Sequence, residues 1–207
     1  MHMDLEGNRD NLPFSPASER NREPIRGVLA ERLNAPARVL EIGAGTGQHA
    51  EHFAAELPWL QWQATDRTEY LSGLQARIRR CDRANLPPPL ELDVLWPHWP
   101  QIACDHAFTA NTCHIMPWPA VAAMFAGLAA RLPVGGLFLV YGPFHRDGTP
   151  TSASNRDFDT SLRARDPDMG IRDDAVVAAL AGGHGLTWIA DEALPANNRI
   201  LIWRRES

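Results

Sequence analysis

The sequence predicts an α/β chain: a doubly wound, mostly parallel sheet of seven strands, the last running antiparallel. Three observations carry this expectation. Strand-like and helix-like segments alternate as far as Tyr141, which is the pattern of a parallel sheet covered by helices on both faces. A run of glycines, Gly43, Gly45 and Gly47, separates the first strand from its helix. The last two strand-like segments are joined by only Pro195-Ala196-Asn197-Asn198, a link short enough for an antiparallel pair.

The elements follow in order. Residues 1–12 are polar and expected to fray, leaving 13–207 as one domain. Pro24 suits the first turn of a helix, with Ile25, Val28, Leu29 and Leu33 on one face, and Asn34 and Pro36 stop it. Residues 38–42 read as a buried strand, 48–57 as a helix ended by Pro58, and 59–65 as a second strand closed by Asp66. A helix over 68–83 turns Leu71, Leu74 and Ile78 inward, and Pro87-Pro88-Pro89 breaks the chain before a short strand at 90–92. Strands follow at 106–110 and 137–141, with a helix over 120–132 between them. A long polar segment, 142–172, has the length of a lid. A helix over 173–181 and strands at 185–190 and 199–203 complete the chain.

Composition narrows the function. Hydrophobic residues make up 44% and charged residues 22% of the 207, which suits a soluble globular chain. Twenty basic residues, all Arg, face 25 acidic ones, and a net charge of −5 argues against a nucleic-acid partner. The apolar stretch 115–130 contains Pro117 and Pro119 and falls short of the ~18 residues of a membrane span, so no membrane partner is expected. The N-terminus, with Asp4, Glu6 and Asp10, does not read as a signal peptide. Three cysteines without a C-x-x-C pair suit a reducing cytoplasm. His49 and His52 share a helix face, but no third ligand accompanies them and no metal site is expected. The sequence carries no sign of an oligomeric state.

The chemistry concentrates at Glu41-Ile42-Gly43-Ala44-Gly45-Thr46-Gly47. Glycines let the backbone turn sharply and let a ligand lie against it, and the following helix offers free N–H groups. Asp66 ends the second strand 19 residues after Gly47, where its carboxylate can accept from both hydroxyls of an adenosine ribose. Asp93 ends the third strand, where it can accept from an adenine amino group or cap a turn. The dinucleotide fingerprint G-x-G-x-x-G is not met: its third glycine comes one residue early and Gln48 fills its place.

With Asp66 after strand two and paired strands at the C-terminus, this Glu-x-Gly-x-Gly-x-Gly spacing resembles class I S-adenosylmethionine-dependent methyltransferases over about residues 38–205. The resemblance implies a Rossmann-like methyltransferase fold, S-adenosylmethionine as cofactor, and Glu41, Gly43, Ala44, Gly45, Gly47, Asp66, Asp93 and Asn111 as its contacts. A closer resemblance is to the methyltransferase-like 26 family. It is carried by Ser15-Pro16-Ala17-Ser18-Glu19-Arg20-Asn21-Arg22-Glu23-Pro24-Ile25, by Gly45-Thr46-Gly47-Gln48-His49, and by Asn111 with His114-Ile115 and Pro117-Trp118. Tyr141-Gly142-Pro143-Phe144, Ser154-Asn155, Ser161-Leu162-Arg163-Ala164-Arg165-Asp166-Pro167, Gly170-Ile171-Arg172-Asp173 and Pro195-Ala196-Asn197-Asn198 extend it almost to the end of the chain. Met169, where that family carries an aromatic residue, and Cys113 beside His114 depart from its pattern and bear on a substrate pocket.

Methyl transfer from a sulfonium requires alignment, exclusion of water and, for a protonated acceptor, a base. Just beyond strand four, His114 is the candidate base; the alternative is a loop histidine bonded to a backbone carbonyl. Asn111 is a contact for the methionine part or a turn residue, and Tyr141 a pocket wall or ordinary core. Arg20 or Arg22 can pair with the cofactor carboxylate. Arg163, Arg165, Arg172 and Asn155 suggest an anionic substrate, whereas Asp157, Asp159, Asp166 and Asp168 favour internal salt bridges. The expectation is a cytoplasmic methyltransferase acting on a small molecule, with His114 catalytic and Arg22, Tyr141 and Asn155 substrate-binding. The alternatives are an NAD-dependent oxidoreductase and a non-catalytic S-adenosylmethionine-binding regulator.

Overall fold

Ser15 starts the first helix, α1 (Pro16–Arg32): its side chain accepts from Ser18 N–H, and Pro16 occupies the first turn. The start expected at Pro24 is therefore corrected. Pro24 lies inside the helix, and the Ser-Pro signal eight residues earlier sets its beginning. The structure, a computed structural model, describes residues 12–206. Of the stretch expected to fray, residues 1–11 lie outside the described residues, while Leu12 is buried.

Two compact units are formed. The first holds residues 12–93 with 98–106: α1, β1 (Ala37–Ile42), α2 (Gln48–Glu56), β2 (Leu60–Asp66), α3 (Thr68–Cys81) and β3 (Leu90–Glu91). β1 and β2 pair in parallel, Ala37 opposite Leu60 through Ile42 opposite Thr65, and β3 joins β2 beside Thr65 and Asp66. Val39, Leu40, Phe53, Trp62 and Leu74 are fully buried and form this unit's core. The strand–loop–helix passage from β1 to α2 thus rests on a packed base.

The second unit holds 94–97 with 107–206. It contains most of β4 (His106–Ala110), then α4 (Trp118–Ala129), β5 (Leu137–Gly142), β6 (Phe144–His145), α5 (Ala153–Arg165), β7 (Arg172–Asp173), α6 (Asp174–Gly183), β8 (Leu186–Leu194) and β9 (Asn198–Arg205). β4 and β5 are parallel, whereas β9 is antiparallel to both β5 and β8. Phe125, Phe138 and Trp203 interlock at the centre, with Phe125 4.9 Å from Phe138 and 5.2 Å from Trp203. The long polar segment 142–172, for which the sequence reading gave no element, contains β6 and the 13-residue helix α5, capped by Ser152.

The seven-stranded sheet has the order β3-β2-β1-β4-β5-β9-β8, and β6 pairs with β7 in a separate two-stranded sheet. The expected mostly parallel sheet with an antiparallel final strand is found. Among the described residues, no helix is long and apolar enough to cross a membrane.

Candidate functional site

The glycine loop leaves β1 at Ile42, and its three glycines adopt positive φ: 71° at Gly43, 56° at Gly45 and 75° at Gly47. At Gly47 the requirement is also steric, since a Cβ there would lie 2.7 Å from Leu74 Cδ1. At Gly45 a Cβ would meet nothing within 4 Å, so this part of the loop faces open space. Asp66, at the end of β2, fixes the loop: its Oδ2 accepts from Gly45 N–H at 2.6 Å and its Oδ1 from Arg67 N–H at 2.8 Å. A carboxylate has about four acceptor sites, so two remain for a ligand's hydroxyls. Burial raises the Asp66 pKa above its ordinary value, against the two backbone donors that lower it.

Glu41 is a different kind of carboxyl. It is 1% exposed and accepts from Trp62 Nε1–H at 2.7 Å. Burial pushes its pKa up to about 7, opposed by the Trp62 hydrogen bond and assisted by Asp66. Glu41 therefore exchanges its proton near neutrality inside the sheet that carries the loop.

Two side chains that sequence reasoning did not single out as site residues, Arg77 and Gln48, hold the loop from behind. Arg77 Nε donates to Thr46 O at 2.7 Å, while its other nitrogens reach Glu51 at 2.7 Å and Pro13 O at 2.8 Å. Its signal was its place on the Leu74–Ile78 face of α3, the buried face. Gln48 Oε1 accepts from Ser15 N–H at 2.6 Å and from Thr46 Oγ1 at 3.0 Å, and its Nε2 donates to Glu19 at 3.2 Å. Thr46 itself is buried. His49 Nε2 bonds Asn21 Oδ1 at 2.7 Å and its ring stacks on Phe53, and burial lowers its pKa to about 3. Arg22 pairs with Glu19 at 2.7 Å. Asp93, with intermediate burial, follows β3, whose neighbour Leu92 N–H donates to Asp66 O at 2.9 Å.

In the second unit, Asn111 takes a left-handed conformation (φ 59°), which Asn tolerates, and its N–H donates to Tyr141 O at 2.9 Å. Tyr141 is buried in β5. His114 is 6% exposed, and its ring lies edge-on to Phe158 at 5.3 Å. Burial lowers its pKa to about 4, with Arg172 and Arg165 adding to the shift, so the ring is neutral at pH 7. Arg172 donates to three backbone oxygens, Cys113 O at 2.9 Å, Met116 O at 2.5 Å and Asp168 O at 2.8 Å. It ties the His114 loop to the segment before β7. Asn155 Nδ2 donates to Thr151 Oγ1 at 2.9 Å and Asn197 O at 3.0 Å, fastening α5 to the β8–β9 turn. Arg163 pairs with Asp159 at 3.0 Å, as the acidic neighbours suggested. Among the described residues, no group of three or more His, Cys, Asp or Glu is placed to hold a metal ion.

A family model described as "Protein of unknown function (DUF938)" matches residues 12–205. Among solved structures, the chain matches an O-methyltransferase family protein from Burkholderia thailandensis with a TM-score of 0.80 at 19% identity, covering 96% of this chain and 60% of that one. Human N-acetylserotonin methyltransferase in complex with S-adenosylmethionine matches at 0.79 and 12% identity, over 92% and 53% of the two chains. An O-methyltransferase family 2 protein from Planctomyces limnophilus in complex with apigenin matches at 0.72 and 16% identity, over 88% and 61%. The chain thus spans between 53% and 61% of the length of these structures. What it shares with them is the Rossmann-like methyltransferase fold.

Proposed function

This chain belongs to the DUF938 family of proteins of unknown function, and we propose that it transfers the methyl group of S-adenosylmethionine to a small-molecule acceptor. The observation that carries the reading is the glycine loop bonded through Gly45 to Asp66, within a fold shared with methyltransferases. The first unit fits the cofactor. Gly43, Ala44, Gly45 and Gly47 offer backbone at a bend that is open at Gly45, Asp66 retains acceptor sites for a ribose, and Glu41 and Asp93 complete the set. Bound there, S-adenosylmethionine supplies an electrophilic methyl on a sulfonium. Asp66 would orient the sugar, and the nonpolar core under β1 and β2 would keep the loop from yielding.

In the second unit we assign proton removal to His114, neutral at pH 7 and therefore able to accept, but a weak base because burial disfavours its charged form. Such a base suits an acceptor that is already acidic. Asn111 and Tyr141 remain its proposed neighbours in ligand contact. Arg22 and Asn155 have donors engaged by Glu19, Thr151 and Asn197, which favours a structural role for them. A neighbour complexed with apigenin and another named for N-acetylserotonin support a small acceptor. The finer resemblance to the methyltransferase-like 26 family is supported by the way two of its motifs meet: Ser15, Glu19 and Asn21 bond Gln48 and His49. A cytoplasmic setting is part of the same reading, supported by three free cysteines.

Titration calorimetry tests the proposal. S-adenosylhomocysteine should bind saturably and NAD should not; tight NAD binding with none of S-adenosylhomocysteine would overturn the reading. Asp66→Ala should weaken S-adenosylhomocysteine binding by about 1–3 kcal/mol, the range for hydrogen bonds to a charged group. Unchanged affinity would remove Asp66 from the site.

A further inference from the structure

Thr46 is the residue between Gly45 and Gly47, and its hydroxyl and its carbonyl are both held. The hydroxyl donates to Gln48 Oε1 at 3.0 Å, and the carbonyl accepts from Arg77 Nε at 2.7 Å. The same Gln48 oxygen accepts from Ser15 N–H at 2.6 Å, and Gln48 Nε2 donates to Glu19 at 3.2 Å. Ser15 is the cap of α1, and Glu19 lies in its first turn. Ser15, Thr46 and Gln48 are all buried. One side chain thus joins the start of α1 to the middle of the bend.

Backbone rich in glycine loses more conformational freedom on ordering than other backbone. Where that order exists before a ligand arrives, its cost is not charged to binding. Asp66 holds the bend at Gly45 from the side of β2, and Gln48 holds the next residue from the side of α1. A glycine at position 48, as the dinucleotide fingerprint has there, could make none of these side-chain bonds.

On the reading of the glycine loop as the S-adenosylmethionine site, we propose that Gln48 is a positioning residue for that ligand: by tying Thr46 to the first turn of α1, it keeps the bend at Gly45–Gly47 in the form that receives it. Coupling of this kind is reciprocal, so the ligand in turn steadies residues 15–19.

Calorimetry with S-adenosylhomocysteine on the full chain tests it, alongside thermal midpoints. Gln48→Leu removes acceptor and donor together and should weaken binding at least about fivefold. Thr46→Val keeps the branched shape, loses only the hydroxyl and should cost a smaller factor; it carries the test if Gln48→Leu does not fold. The double exchange Gln48→Glu/Glu19→Gln reverses donor and acceptor between the two residues, keeps acceptors for Ser15 N–H and the Thr46 hydroxyl, and should retain most of the affinity. Amide exchange at Ser15 and Ser18 should slow when S-adenosylhomocysteine saturates the wild type. A wild type that does not bind S-adenosylhomocysteine would overturn the assignment of the loop and the role of Gln48 with it. Wild-type binding left unchanged in the folded variants, whatever their midpoints, would overturn the role of Gln48 alone. So would a double exchange that binds as weakly as Gln48→Leu, or amide exchange indifferent to the ligand.

Discussion

Arg77→Met should lower stability by about 3 kcal/mol and the thermal midpoint by roughly 6–12 °C, a large loss for one surface-derived side chain. Arg77 is 4% exposed, so none of its bonds is easily replaced by water. Removing it leaves the Thr46 and Pro13 carbonyls without this donor and Glu51 without its nearest cation. Methionine matches the length of the aliphatic stem, which separates the lost polar bonds from a packing defect. Arg77→Lys restores a charge near Glu51 but lacks the fork that reaches three partners, and should recover less than half of the loss. A wild-type midpoint for Arg77→Met would show that the glycine loop does not lean on this residue.

Glu41→Gln should stabilise the protein above neutral pH and change little in acid. With a folded pKa of about 7 against an ordinary 4.5, Glu41 binds its proton more tightly in the folded state. Its contribution is therefore fully present below about pH 4.5 and is lost as pH rises through about 7. A shift of this size corresponds to roughly 3 kcal/mol, and Gln, which keeps an acceptor for Trp62, avoids that loss. His49 and His114 act in the opposite sense. Their folded pKa values, about 3 and about 4, mean that their contribution declines as pH falls below the ordinary 6.5. The difference between wild-type and variant denaturation profiles from pH 4.5 to 8.5 cancels the histidines and isolates Glu41. A flat difference would mean that Glu41 titrates normally.

Much of the first unit was legible in the sequence, because β1 and β2 carry apolar residues that the fold buries, Val39, Leu40 and Ile42 in one and Leu60, Trp62 and Ala64 in the other, and its glycines announce a bend no other residue adopts cheaply. The start of α1 was misplaced because Pro24 looks like a first-turn proline, although Ser15 and Pro16 already supplied cap and first turn. Helix α5 escaped notice for a physical reason. Only Asn155 and Leu162 among its 13 residues are buried, so it has almost no apolar stripe to reveal a helical period. The carboxylates at 41 and 66 were visible as residues but not as a pair with unequal surroundings, since that difference comes from Trp62 and from the backbone of Gly45. Arg77 was hidden because an arginine followed on its helix by Arg79 and Arg80 reads as solvated until the chain folds around it.

The hydrogen bond between Trp62 and Glu41 also gives the molecule its own gauge. An indole proton shared with an acid that ionises near neutrality changes its magnetic environment as that acid empties. The Trp62 side-chain resonance should drift with pH along the same midpoint as the Glu41 carboxyl, reporting the interior of the sheet without an added dye.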